Sequence, residues 1–408
     1  GAAWTATNTG LLGTSVNALV AGGGSVYAGG IEDNGSSGGG VYRSTDEGAN
    51  WELTDNGMLL INGTTPSVNP NNIALSGGNI FVATITNGVY RSTDGGNSWA
   101  TVNNGLKNLN MQALMAHGGN LYSSANNGAS LSTDGGASWT AINNGMKGFH
   151  GQFISSFAAD SSGNLYAGTV DTGVFISTNG GGVWTPIHNG LPCASCVYGT
   201  NTSSLAASSH SVFAATDSGI YRTTNFGAEW IQPTNGLPRA KSFGVSALGN
   251  YVFVGVDSNG IYYSSDDGVT WVQANTGLPS NIAYFGPFTI DNKYIYAGTT
   301  IGVWRRPISD FITAVDEKSS VPAQFTLQNY PNPFGTTTNI EYRIPNEEQV
   351  TLRVYNALGE EIATLVNGRQ ATGTHDLSFD ASNLPNGVYF YRLSAGRDVW
   401  IGRMTVLR

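Results

Sequence analysis

Residues 92–106 read STDGGNSWATVNNGL, and the first eight residues of that stretch return in altered form five more times. The six copies fit the pattern [S/T]-x-[D/N]-x-G-x-x-W. They are carried by Ser44, Asp46, Gly48 and Trp51, then Ser92, Asp94, Gly96 and Trp99, then Ser132, Asp134, Gly136 and Trp139. Three more follow at Ser177, Asn179 and Trp184, at Thr223, Asn225, Gly227 and Trp230, and at Ser264, Asp266, Gly268 and Trp271. The tryptophans recur every 40–48 residues, the period of an array in which each copy is one small sheet. The Asp or Asn side chain can accept hydrogen bonds from turn amides. The glycine supplies a positive φ. The tryptophan opens the next strand and buries its ring between neighbouring sheets. Because Asn179 and Asn225 replace Asp in two copies, no ionised carboxylate is required, which argues for a structural and against a catalytic role.

The flanks of the phrase repeat as well. A strand of the form G-[V/I]-[Y/F] precedes it (Gly40-Val41-Tyr42, Gly88-Val89-Tyr90), with a degenerate third copy at Gly128-Ala129-Ser130. Leu or Met stands seven residues after each Trp. The ends complement each other. Trp4 and Leu11 have the Trp-to-Leu spacing with nothing before them, and Gly302-Val303-Trp304 has the earlier strand with no box after it. Joined, they make a seventh unit. The expected fold is all-β: a seven-bladed β-propeller over residues 1–309, closed by the N-terminal strand, which leaves only short protected edges.

Composition agrees with an all-β protein rich in tight turns. Charged residues are 11% against about 25% in ordinary domains, and Gly is 56 of 408. With 40% apolar residues the chain has enough for a core. Net charge is −9, made of −6 over residues 1–309 (10 basic, 16 acidic) and −3 over 310–408 (8 basic, 11 acidic). No basic run exists, so the electrostatic footprint of a nucleic-acid binder is missing. No apolar run approaches the ~20 residues of a membrane-spanning helix. The start at Gly1 rather than Met leaves two readings open, an arbitrary boundary or a mature N-terminus after signal-peptide cleavage, and the C-terminal resemblance described below favours the second. Cys193 and Cys196, in LPCASCVYG, fall in a loop between strands; they read as a local disulfide or as inert thiols, with redox reactivity the less favoured alternative.

The repeated boxes resemble the Asp-box repeats of bacterial neuraminidases, over residues 1–309. That resemblance implies the propeller and leaves function open. After Ser309 the period stops. Residues 310–321 read as a linker, and 322–408 as about seven short strands with turns at Pro331-Asn332-Pro333 and Pro385-Asn386-Gly387, forming an Ig-like β-sandwich. This segment carries YPNPF (Pro331, Asn332, Pro333, Phe334), NALGEEIATLV and NLPNGVYFYRL (Gly387, Tyr389). These motifs, in this order, resemble the C-terminal sorting domain of type IX secretion substrates. The resemblance implies passage through an outer-membrane translocon to the cell surface or medium.

Sites of chemistry are few. Asp-box propellers include sialidases and xyloglucan-cleaving enzymes, so glycoside hydrolysis is the alternative to weigh. Arg43, Arg91, Arg222 and Arg305 share one strand register and read as repeat-borne surface residues, not as a convergent carboxylate site. Asp33, Asp171, Asp217 and Asp257 fall in the turn before the third strand of their blades and are candidate face acids; a pair about 5–9 Å apart could act as acid and base. Asp-x-Gly turns explain two of them equally well. The five histidines (His117, His150, His188, His210, His375) have no zinc spacing, and no cofactor motif appears. The expected function is a non-enzymatic structural or adhesive surface protein. Its partners would be the translocon during export and a second copy in a head-to-tail filament. The alternative is a glycan-binding module or hydrolase using the propeller face; a third reading is an assembly factor like the seven-bladed photosystem stability proteins.

Overall fold

The structure, a computed structural model, describes residues 3–11, 15–31, 39–58, 69–126, 128–146, 153–192, 201–280, 282, 285–311, 326–332, 334–344, 347–356, 360–395 and 398–408. Asp33, Cys193, Cys196, Pro333 and most of the 310–321 segment lie outside these residues. The chain divides into two compact units, Gly1–Ile312 and Thr313–Arg408. No helix among the described residues is long and apolar enough to cross a membrane.

In the first unit each sheet is an antiparallel meander. The first sheet runs Ser15–Gly22, Ser25–Ile31, Gly40–Ser44 and Glu52–Leu53, hydrogen-bonded in chain order. Sheets beginning at Pro70–Ser76, Met111–His117, Ile154–Ala159, Thr202–Ala207 and Ser242–Leu248 repeat that order. In the fifth sheet the outer strand is reduced to a bridge between Arg222 and Ile231. The last sheet, Phe285–Ile290, Tyr294–Thr299 and Gly302–Pro307, is completed by Thr5–Ala6 from the start of the chain, with Thr5 opposite Arg305 and Ala6 opposite Trp304. First strands of successive sheets pack against one another all the way round, and Phe285–Ile290 packs against Ser15–Gly22. The sheets therefore form a closed ring.

The core lies between sheets. Second strands are buried on both faces and read as continuous runs, as in Leu165–Thr169, where every residue is buried. One cluster joins Val26, Ala28, Tyr42 and Trp51 of the first sheet to Tyr296 and Val303 of the last. At each junction the tryptophan N–H donates to the carbonyl five residues past the preceding tryptophan: Trp51 to Thr9, Trp99 to Asn56, Trp139 to Asn104, Trp184 to Asn144, Trp230 to Asn189, Trp271 to Asn235 and Trp4 to Thr276, at 2.8–3.0 Å. The residue after that carbonyl is always glycine. Gly145 shows why: its φ is +93°, and a Cβ there would lie 2.0 Å from the Trp184 carbonyl oxygen.

One boundary differs from the sequence expectation. Asp310 and Phe311 were expected in the linker, yet both belong to the first unit. Ile308–Asp310 forms a 3₁₀ turn, Asp310 accepts from Arg306 at 3.1 Å, and Phe311 packs edge-on against Phe253 with ring centroids 5.0 Å apart. The apolar ring, having a hydrophobic slot beside Trp4 and Tyr263, stays with the ring of sheets although the repeat has ended.

The second unit holds a three-stranded sheet (Thr326–Tyr330, Thr337–Ile344, Gly373–Asp380) and a four-stranded sheet in the order Glu361–Gln370, Glu348–Tyr355, Gly387–Ala395, Asp398–Val406. Both contribute to one core, built on Ile340, Tyr342 and Phe379 from the first sheet and Leu352, Leu393 and Met404 from the second.

Candidate functional site

The six boxes share one geometry. Ser44 Oγ donates to Asp46 Oδ1 at 2.8 Å and accepts from Gly48 N–H at 2.7 Å, while Asp46 Oδ1 accepts from Asn50 N–H at 2.9 Å. Asn179 does the same with Ser177 and Val183, and Asn225 with Thr223 and Glu229. The amide oxygen fills the acceptor role that the carboxylate fills elsewhere. Where Asp is present, hydrogen bonds from the side chains of Asn50, Ser98 and Ser138, then from their backbone N–H groups, hold Asp46, Asp94 and Asp134 down at about 2. These carboxylates are ionised acceptors tied into turns, a poor state for a proton donor.

The box tryptophans act across sheet boundaries. The indole N–H of Trp51, Trp99, Trp139, Trp184 and Trp230 donates to the carbonyl just past the outer strand of the preceding sheet (Thr7, Thr54, Val102, Ile142, Ile187), and Trp4 donates to Ala274, at 2.5–2.8 Å. Trp271 bonds Gly268 of its own box instead. The arginines read from sequence as surface residues also reach across boundaries. Arg91 donates to Gly135 O at 3.1 Å, Arg305 to Glu47 O, and Arg222 meets Asp267 at 2.8 Å. Arg43 donates to Ser25 Oγ at 3.3 Å within its own sheet. Asp267 is buried and also takes the hydroxyls of Ser208 and Ser211.

The described candidate face acids line none of the three cavities described below. Asp171, Asp217 and Asp257 each sit between the second and third strands of a sheet. Asp217 is paired with Lys241 at 2.7 Å, and Asp257 accepts from Ser258 at 3.0 Å. Cavities of about 210, 550 and 380 Å³ lie instead at sheet boundaries beside the boxes and first hairpins, lined by residues such as Arg222 and Ile231, Glu47 and Lys293, and Arg43 and Gly95. None of the three is lined by a face acid. No group of three His, Cys, Asp or Glu among the described residues could hold a metal ion.

The motifs of the second unit meet at the end of the chain. Asn332 Oδ1 accepts from Thr405 N–H at 2.9 Å. Buried Phe334 pairs with Val406 in parallel, giving its N–H to Thr405 O and taking Leu407 N–H on its carbonyl. On the other side Gly387 lies opposite Val406. Asn386 holds Arg408 twice, accepting its N–H at 3.0 Å and donating to its carbonyl at 3.3 Å. The Arg408 guanidinium donates to Gly335 O at 3.1 Å and to Ala381 O. Pro331 O accepts from Thr338 Oγ1, and buried Tyr389 donates to Pro385 O at 3.0 Å, fixing the two flanking turns. Two turns remote in sequence thus pin the last residues.

With this geometry described, the chain can be set beside known proteins. Residues 62–305 match the DUF6242 beta propeller domain, and residues 328–406 match the secretion system C-terminal sorting domain. The sorting domain implies export. No curated protein matches the chain. Among solved structures it is similar to PorZ, described as an essential bacterial surface component of the type-IX secretion system of Porphyromonas gingivalis (16% identity, TM-score 0.54, 96% of this chain and 59% of PorZ). It is similar to YCF48 from Cyanidioschyzon merolae (16%, 0.55, 75% of this chain and 98% of that one) and to the GH74 xyloglucanase of Xanthomonas campestris (16%, 0.55, 85% and 60%). The chain spans about three-fifths of the length of PorZ and of the xyloglucanase, and at these identities the likeness is one of fold. The match over 62–305 covers more than half of the chain, which therefore belongs to the DUF6242 β-propeller family.

Proposed function

We propose that this is a non-enzymatic protein of the outer cell surface, exported by type IX secretion, in which a rigid seven-bladed Asp-box propeller is carried by an Ig-like sorting domain. The observation that carries the reading is the fate of the acidic residues. The box carboxylates are held ionised by turn amides, and the face acids line none of the three cavities. A retaining or inverting glycosidase needs two carboxyls facing one substrate cleft. The likeness to PorZ, which extends over both units, supports a surface role. Association of copies into filaments, with little charge to repel them, belongs to the same reading.

The test is fractionation of producing cells, with the purified chain screened against polysaccharides. Surface-exposed, full-length protein without hydrolytic activity is expected. Hydrolysis of a glycan that is lost in Asp171→Ala or Asp217→Ala would overturn the reading in favour of a GH74-like enzyme. Retention of the chain inside cells would remove the export part.

A further inference from the structure

The exposed apolar side chains of the sorting unit lie together. Among its described residues the large exposed hydrophobics are Ile362 (37%), Val388 (38%), Phe390 (37%) and Leu407 (63%). All four belong to the four-stranded sheet or the residue just past its last strand. Alternation puts Val388 and Phe390 on the outer face, because Tyr389, Tyr391 and Leu393 between them are buried. Leu407 follows buried Val406, which pairs with Gly387, so it is a diagonal neighbour of Val388. Tyr355, half-buried, stands opposite Phe390 on one side and Glu361 on the other, and Ile362 is the extra residue of a bulge beside Glu361. A continuous strip of five side chains crosses the sheet at one end.

Two arginines and one glutamate, Glu361, border the strip. Arg353 and Arg392 are directly opposite each other on adjacent strands, a juxtaposition that like charges disfavour. Glu361 meets Arg353 at 3.2 Å, but the Arg353 Nε is buried without a hydrogen-bond partner. Among the described residues Arg392 has no carboxylate partner. An incoming carboxylate at Arg392 would offset the apposition of the two guanidinium groups. Leu407, held by the backbone bond to Phe334 and flanked by the pinned Arg408, is presented with little conformational freedom left to lose.

We propose that this face, the strip from Ile362 to Leu407 bordered by Arg353 and Arg392, is the surface by which the sorting unit docks on a protein of the export apparatus, one offering an apolar groove rimmed by acidic side chains. The inference rests on the reading of the unit as an export signal. Apolar anchors in a fixed geometry supply affinity, and the arginine pair supplies orientation. The pinning of the last residues by Asn332 and Asn386 then has a use: it keeps Leu407 in the plane of the strip.

The experiment follows the full-length chain in cells with type IX secretion, comparing wild type, Phe390→Ser, Leu407→Ser, Arg392→Glu and a chain ending at residue 312. Thermal melts of the purified variants check folding. Phe390→Ser and Leu407→Ser are expected to lower the exported fraction by about tenfold or more each, the effect of losing one hot-spot side chain. Arg392→Glu, which leaves the apolar strip intact, is expected to lower it as well. Folded variants exported like wild type would overturn the proposal, and so would variants that lose only self-association while export continues. Unimpaired export of the chain ending at 312 would instead refute the export-signal reading itself.

Discussion

Replacing Gly145 by alanine should damage the ring far more than replacing another glycine of the same handedness. At Gly145, φ is +93° and an added Cβ would lie 2.0 Å from the Trp184 carbonyl oxygen. Left-handed strain costs roughly 1–2 kcal/mol. Relief of the clash must open the 2.8 Å bond from Trp184 N–H to Asn144 O, about 1 kcal/mol more. Displacing Trp184, 1% exposed, should lose another 1–2 kcal/mol, roughly, of apolar burial. The total is about 3–5 kcal/mol. For a 312-residue unit, an unfolding entropy of about 2.1 cal/mol/K per residue converts this to a fall in Tm of roughly 5–8 °C. Gly118→Ala is the control. Its φ is +58°, with nothing within 4 Å of the added Cβ, so strain acts alone and the fall should be about 2–3 °C. Scanning calorimetry of the two variants decides the matter. If they melt together, the close approach between sheets is not what demands glycine.

Asp55 occupies the position where Asn8, Asn103, Asn143 and Asn275 accept a strand N–H, and its Oδ2 is buried without a partner. Burial raises its pKa, so the folded state binds its proton more tightly than the unfolded state; stability is greatest below the unfolded value and falls as pH rises through the folded one. Asp55→Asn should stabilise the protein by about 1–2 kcal/mol at pH 7 in urea titrations, with the gain shrinking under acid. Asp94→Asn should be well tolerated near neutrality, since Asn179 and Asn225 do the same work, whereas Asp94→Ala should lower the melting temperature. Because the Asp94 pKa is depressed to about 2, its contribution is present above the unfolded value and is lost as pH falls towards 2; melts of Asp94→Asn should lack that acid dependence. Asn386→Ala should speed amide exchange at Arg408, read by mass spectrometry, while amides of the buried Leu352 strand stay protected.

The repeat was legible because each box is local: Ser, Asp, Gly and Trp within eight residues build one turn, and the turn forms as the spacing implies. The glycine six residues past each tryptophan stands in NNGL, HNGL and TNGL as plainly as the Leu or Met after it. Its reason is a backbone in the next sheet, 34–42 residues on in six cases and at the other end of the unit in the seventh, which no local pattern displays. Single features such as Asp267 and Phe311 have no repeat to announce them, and their partners come from other sheets. In the sorting unit YPNPF and NLPNG could be read as turns. That both would grip the last residues depends on the pairing of the final strand with two neighbours, as does the exposure of Phe390 and Val388 on one side.

The pairing of Thr5–Ala6 with Gly302–Pro307 also sets an order of events in time. That contact spans almost the whole first unit, so the last sheet cannot be finished until some three hundred residues have left the ribosome, and loop closure on that scale is slow. Until then Trp4 and the strand it precedes have no mate, and the partly built array has two raw edges. The seam is sealed by a strand of only two residues, together with Trp4, whose N–H and indole bond Thr276 and Ala274. It should be the last joint to form and the first to part, and a circularly permuted chain cut elsewhere, with the seam made continuous, should fold by a different route to the same ring.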